Sequence, residues 1–139
     1  MNLLYSLSLQ NLKKVMYNPD GSCMIIFSSR KLKILDSYSF EPKYEITEKI
    51  NSIIDVCFGS KHNIILILYD NGLILERSFY DFERIKTYRI FSHTHRKITS
   101  FKLDERNENI MLLLDDGCMV TKLMNNLTSP DLCLSYPDD

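Results

Sequence analysis

Three times along this chain of 139 residues the same succession appears: an apolar run, a turn, a second apolar run, a tight turn and a third apolar run. The first unit has apolar runs at 15–17, 23–27 and 32–35. They are broken by Asn18-Pro19-Asp20-Gly21 and by a second turn near Ser29-Arg30. The second unit has runs at 56–58, 64–68 and 73–75, with turns at 59–62 and at Asp70-Asn71-Gly72. The third has runs at 98–103, 110–114 and 118–120, with turns at 104–109 and at Asp115-Asp116-Gly117. Tyr17 and Phe58 lie 41 residues apart, Phe58 and Phe101 43, and Gly72 and Gly117 45. A period in this range means that one supersecondary unit repeats, and that neighbouring units stack to bury what a single unit leaves open.

The runs are strand length and the turns carry hairpin chemistry. Asn-Gly or Asp-Gly between apolar runs is a strong hairpin signal, because a type I′ turn needs positive φ at both central residues. Asn71-Gly72 and Asp116-Gly117 supply that signal, and Asp70 and Asp115 precede them in the same turns. A fourth strand is expected after each hairpin, at 37–40, 78–82 and 124–127, with 88–91 leading onward from the second unit. The central runs are continuously apolar, as in Ile64-Ile65-Leu66-Ile67-Leu68. A strand covered on both faces reads this way, whereas one wet face gives alternation. Four short strands per repeat, with central strands covered on both sides, is the pattern of a β-propeller blade. The fold class expected is therefore all-β: a partial propeller of about three four-stranded antiparallel blades at 12–50, 51–92 and 93–127. An extended tail is expected at 128–139, with Leu132-Cys133-Leu134 as its anchor on a partner. A closed β-barrel or sandwich of about ten strands is the alternative architecture.

Composition agrees where it is informative. Hydrophobic residues make up 45 %, enough for a real core. Alanine, the best helix former, is absent; Ile-, Lys- and Asn-heavy usage typical of AT-rich coding accounts for part of that absence. The net charge of −1 gives no overall field to attract nucleic acid. Cys23, Cys57, Cys118 and Cys133 form no CxxC pair and read as free, mostly buried thiols of a reducing compartment. Segment 1–10 is apolar but has neither a positive n-region nor a small-residue cleavage site, so it does not read as a signal peptide. No apolar run reaches the roughly 18 residues needed to cross a bilayer.

The third unit carries a family resemblance. Ser92-His93-Thr94, the strand starting at Ile98-Thr99-Ser100-Phe101, the apolar run 110–114, Asp115-Asp116-Gly117 and Thr121-Lys122 together resemble a WD40 repeat. Ser92-His93 stands where Gly-His is usual, and Thr121-Lys122 where Trp-Asp is usual. In the first unit Leu35-Asp36 holds the Trp-Asp place and keeps the Asp, but no Trp occurs anywhere in the chain. The resemblance covers residues 12–127. It implies a structural hydrogen-bond network joining His93 or His95 to Asp115 or Asp116. It also implies a non-catalytic platform for other protein subunits. About three units fall short of the four to eight blades of a closed propeller, so the expectation is either a fragment of a longer propeller or one completed by another chain or another copy.

No catalytic set emerges from the sequence. His93-Thr94-His95 has the HxH spacing of a metal site but no third ligand nearby, so no metal or cofactor is expected. Asp70, Asp115 and Asp116 sit where hairpin turns demand such residues for backbone reasons. No GxSxG and no Gly-rich phosphate loop occurs. A basic, aromatic stretch holds Arg84, Lys86, Tyr88, Arg89, Phe91, Arg96 and Lys97, and marks a possible interaction surface. Stacking plus phosphate contact there would suit RNA, the alternative reading as a ribonucleoprotein subunit, although the near-neutral balance argues against phosphate binding as its main task. A barrel holding an apolar ligand is the further alternative. The leading expectation is a scaffold subunit of a cytoplasmic assembly, with a ciliary or cytoskeletal setting favoured by the AT-rich usage common in protists, and with no membrane partner.

Overall fold

The computed structural model describes residues 11–59, 64–79, 81–89, 97–104, 106, 108–124 and 132–135. Every strand of it falls in one of three four-stranded antiparallel sheets. The first holds β1 (Lys14–Tyr17), β2 (Cys23–Phe27), β3 (Lys31–Asp36) and β4 (Pro42–Thr47) in chain order. The second holds β5 (Ile53–Phe58), β6 (Ile64–Tyr69), β7 (Leu73–Ser78) and β8 (Arg84–Arg89), also in chain order. The third holds β9 (Ile98–Leu103), β10 (Asn109–Leu114), β11 (Met119–Leu123) and β12 (Leu132–Ser135). Among the described residues, pairing stops at the outer strand of each sheet. A closed barrel would instead link all the strands in one ring, so the barrel alternative, and with it the barrel-held ligand, does not describe this chain.

The repeat is visible in the backbone hydrogen bonds. In the first hairpin of every sheet one N–H donates to the carbonyl five residues on: Asn18 to Cys23 at 3.1 Å, Gly59 to Ile64 at 3.0 Å and Asp104 to Asn109 at 3.0 Å. Asn18 and Asp104 add a side-chain acceptor for the return N–H, of Cys23 at 2.9 Å and of Asn109 at 3.2 Å. The third hairpins of the first two sheets match in the same way, Asp36 to Glu41 at 2.9 Å and Ser78 to Glu83 at 2.8 Å. These bonds align Gly59 with Asp104, so Phe58 corresponds to Leu103 rather than to Phe101, and the spacing between the second and third units is a uniform 45.

Three expectations need correction. The Gly72 and Gly117 turns are not type I′. Each Gly has positive φ, 85° and 87°, but Asn71 and Asp116 do not. Gly72 N–H donates to the Tyr69 carbonyl, and Gly117 N–H to that of Leu114, both at 3.1 Å. This is a type I turn closed by a left-handed Gly, the three-residue hairpin loop, which reaches the strand twist with one unusual φ instead of two. Segments 37–40 and 78–82 are not the fourth strands: Ser78 ends β7, the described residues 37–40, Phe79, Asp81 and Phe82 precede the fourth strands, and those strands start at Pro42 and Arg84. Of the expected strand 124–127, positions 125–127 lie outside the described residues. The fourth strand of the third sheet is β12, drawn from the expected tail and paired with β11 through Thr121↔Leu132 and Val120↔Cys133.

The chain forms two compact units, Met1–Ile53 and Ile54–Asp139. In the first, Met24, Ile26 and Leu35 are buried on one face with Phe40 packed against them, and Ile25, Phe27, Leu32 and Ile34 are buried as well. Every residue of β2 is buried, as its unbroken apolar run predicts. In the second unit one core joins two sheets. Cys57, Leu66, Leu68 and Ile74 of the second pack against Phe101, Ile110, Leu112, Leu114, Cys118 and Val120 of the third.

Candidate functional site

Asp55 links these two sheets through a hydrogen bond to Phe101. It is a lone carboxylate in the apolar strand β5 and it is buried. Its Oδ1 accepts the Val56 N–H at 2.8 Å, and its Oδ2 accepts the Phe101 N–H of β9 at 3.1 Å. A buried carboxylate is tolerated where it gathers hydrogen bonds; here it satisfies a backbone donor of the neighbouring sheet. The sequence offers one signal for it, a single acid interrupting the apolar run Ile53-Ile54…Val56-Cys57.

The turn candidates sit at the tips of the hairpins. Asn71 Oδ1 accepts the Leu73 N–H at 3.1 Å, and Asp116 Oδ1 accepts that of Cys118 at 2.9 Å. Asp20 does the same for Ser22 in the first sheet at 2.9 Å. Asp70 precedes Asn71 in an exposed turn, and Asp115 N–H donates to the Lys97 carbonyl at 2.8 Å. His93, Phe91 and Arg96 lie outside the described residues, and so does the expected His–Asp network.

The basic segment is divided. Arg84, Lys86, Tyr88 and Arg89 are all on β8, whereas Lys97 precedes β9 in the next sheet. Tyr88 is half-buried against the joint core, and its hydroxyl donates to Glu76 Oε1 at 2.9 Å. The Lys86 ammonium lies 4.9 Å from its ring centre. Burial first, and then the Glu76 carboxylate, push the Tyr88 hydroxyl up to about 12. The ring is thus committed to the sheet, and the stacking partner that an RNA interface would take from this strand is already engaged.

The feature that sequence reasoning missed at residue level is the outer face of the third sheet. Strand β10 is Asn-Ile-Met-Leu-Leu-Leu, an unbroken apolar run like β2 and β6. Only Ile110, Leu112 and Leu114 are buried, whereas Leu113 is 44 % exposed and Met111 half-buried. The register sets Met111 across from Thr121 and Lys102, Leu113 across from Met119 and Ser100, and Leu123 across from Asn109. Leu123 is 51 % exposed. The result is an apolar stripe on the sheet in which Lys102, at the β9 border, is the charged side chain the register places among the described residues.

Comparison with known proteins places this geometry. No protein-family model matches the chain, and no curated protein matches it in sequence. Solved structures do match in shape. The β-propeller domain of Cps50 (Swd1) from Myceliophteria thermophila superposes with a TM-score of 0.68 at 10 % identity, over 89 % of this chain and 39 % of its own. Hydrazine synthase of Kuenenia stuttgartiensis gives 0.68 at 10 % identity, over 99 % and 39 %. The Pan2 WD40 domain of Neurospora crassa gives 0.63 at 17 % identity, over 84 % and 34 %. The chain therefore spans less than two fifths of the length of each of these structures. Three four-stranded antiparallel sheets, a 41–45 residue repeat and these superpositions give the chain the fold of a WD40-like partial β-propeller.

Proposed function

We propose that the chain is a non-catalytic scaffold, a propeller subunit or segment that binds other protein subunits in a larger assembly. The fold alone does not decide this, since one structural neighbour is named as an enzyme. The observation that supports the reading is the open face of the third sheet, where Leu113 and Leu123 sit exposed in an apolar stripe on a sheet packed firmly from behind. Contiguous exposed apolar surface with few charges is the character of a protein-binding core. A cytoplasmic setting, including a ciliary or cytoskeletal one, belongs to the same reading; no helix among the described residues is long and apolar enough to cross a membrane.

The test is isolation of the full protein from its own cells under native conditions, with mass and subunit composition measured before and after nuclease treatment and high salt. A stoichiometric protein complex that survives both is expected. Release of the chain by nuclease would replace the reading with the ribonucleoprotein one, and a chain that runs free of any partner would sink both.

A further inference from the structure

The first sheet departs from the other two at one end. Lys13 N–H donates to the Phe27 carbonyl at 2.8 Å and Lys14 stands across from Phe27, so β1 starts beside the hairpin that joins β2 to β3. That hairpin is closed by Ser28 N–H on the Lys31 carbonyl at 2.8 Å, and the buried Ser28 hydroxyl accepts the Lys31 N–H at 3.2 Å. The loop 48–52 after β4 is pinned to the hairpin twice. Glu48 N–H donates to the Arg30 carbonyl at 2.7 Å, and Ile53 N–H to the Ser29 carbonyl at 2.8 Å. Five exposed cations, Lys13, Lys14, Arg30, Lys31 and Lys49, thus gather at one end of one sheet, with the carboxylates of Glu45 and Glu48 among them. Ile50 stands out in their midst, 85 % exposed.

The fold does not require this cluster. By the repeat spacings of 41 and 45, Lys13 and Lys14 correspond to Ile54 and Asp55 and to Thr99 and Ser100, none of them cationic. The matching hairpins display Asp70-Asn71 and Asp115-Asp116 where this one displays Ser29-Arg30. Nor are all the charges paired. The Lys13 ammonium donates to the Ile53 carbonyl at 2.8 Å and that of Lys31 lies 3.9 Å from Glu45, whereas the Arg30 and Lys49 side chains have no hydrogen bond or ion pair among the described residues. We propose that this end of the first sheet docks an acidic segment of a partner protein, with carboxylates on Arg30 and Lys49 and an apolar side chain on Ile50. The inference rests on the scaffold reading and adds to it a surface separate from the third sheet. Charge complementarity makes the segment acidic, and three features favour a protein over other polyanions. Ile50 is aliphatic and no exposed ring accompanies it at this end, whereas single-stranded nucleic acid is held by stacking. Glu45 and Glu48 make a pattern that individual side chains can read, whereas a lipid surface responds to summed charge. The net charge of −1 supplies no long-range pull toward a membrane or a nucleic acid. The pinned loop and hairpin hold the surface in place beforehand, which lowers the ordering cost of binding.

Fluorescence anisotropy of a labelled peptide titrated with the full chain tests this. The probe is a short peptide of glutamate and aspartate with leucine at its centre. Saturable binding on the order of tens of micromolar is expected, weakening as salt rises. Arg30→Glu and Lys49→Glu should each weaken it at least about fivefold. Ile50→Ser should weaken binding of the leucine peptide about threefold or more and leave a serine-centred version unaffected. All three side chains are exposed, so the circular dichroism spectrum and urea midpoint of each variant should stay near those of the parent. Lys43→Glu, the same reversal toward the other end of the sheet, should leave binding unchanged. No saturable binding, or binding indifferent to Arg30 and Lys49, would overturn the proposal. Tighter binding through the same residues to phosphatidylserine vesicles or to an oligouridine RNA would overturn it too and name a different occupant. A stoichiometric protein complex from cells that keeps its composition when Arg30→Glu and Lys49→Glu are combined would overturn this surface and leave the scaffold reading standing.

Discussion

Phe40 and Phe82 occupy the left-handed region of backbone space, with φ of 60° and 58°. This is uncommon for any non-glycine residue and a strained choice for a ring. Both stand fourth in the loop before the last strand of their sheets, within the matching stretches Tyr38-Ser39-Phe40-Glu41 and Tyr80-Asp81-Phe82-Glu83. The rings explain why Gly is not used. Phe40 packs on Met24, Ile26 and Leu35. Phe82 is buried beneath the Arg77 guanidinium, 4.9 Å from its ring centre, and its carbonyl accepts Arg77 Nη1–H at 2.9 Å. Gly72 and Gly117 face the opposite choice, with no ring to bury. Alanine at either should cost about 1 kcal/mol by urea unfolding, since a Cβ is penalised at positive φ, and asparagine should cost less. Tyr88 gives a pH signature. Its folded value of about 12 exceeds the ordinary 10.0. The unfolded chain therefore releases this proton first, and stability is lost as pH rises from 10 towards 12. Tyr88→Phe should flatten that part of the urea-midpoint profile relative to the parent, with no difference near neutral pH beyond the lost hydrogen bond.

At the scale of elements, turns are set by short-range acceptors and sheets by what lies across them. Asp104 holds the first hairpin of the third sheet through the Asn109 side-chain amide at 2.9 Å and the backbone N–H groups of Glu108 and Asn109. These bonds, led by the Asn109 side chain, hold its carboxyl below the usual 3.8. The sign is that of a depressed acid: its stabilisation is present above the unfolded value and disappears as pH falls through the folded one. Asp104→Asn should therefore show a smaller acid-side loss than the parent in urea midpoints followed below pH 4. Asp55 acts between sheets. Asp55→Ala leaves the Phe101 N–H without this buried acceptor and should cost about 1–3 kcal/mol by the same measurement, with Asp55→Asn losing less. Hairpin positions were legible in the sequence because Gly, Asn and Asp mark them by local chemistry. The turn type was not, since Asn71-Gly72 suits both a two-residue and a three-residue loop, and the length of the flanking pairing decides. Fourth strands were misplaced for a related reason. Tyr38, Phe40, Phe79 and Phe82 have the composition of a strand but sit in loops, where the Phe40 ring packs on apolar neighbours and the Phe82 ring is buried beneath Arg77.

At the scale of the whole molecule, the chain is a set of repeated sheets with one face that its repeat pattern covers elsewhere. The three-fold repeat, the all-β class and the number of sheets follow from the sequence by itself. Period, turn residues and apolar run length are local quantities, and each of the three units states them independently. The identity of β12 did not follow, because four residues near the end of the chain carry too little pattern to announce pairing across a gap of eight residues from β11. Nor did the role of Asp55, whose partner lies 46 residues away. The open face was the hardest to read. Its residues have the same unbroken apolar pattern as the buried strands β2 and β6, so sequence alone assigns it two covered faces. Tertiary structure decided that among the described residues only one is covered, because burial depends on which sheet lies opposite, and that is a property of packing rather than of the strand.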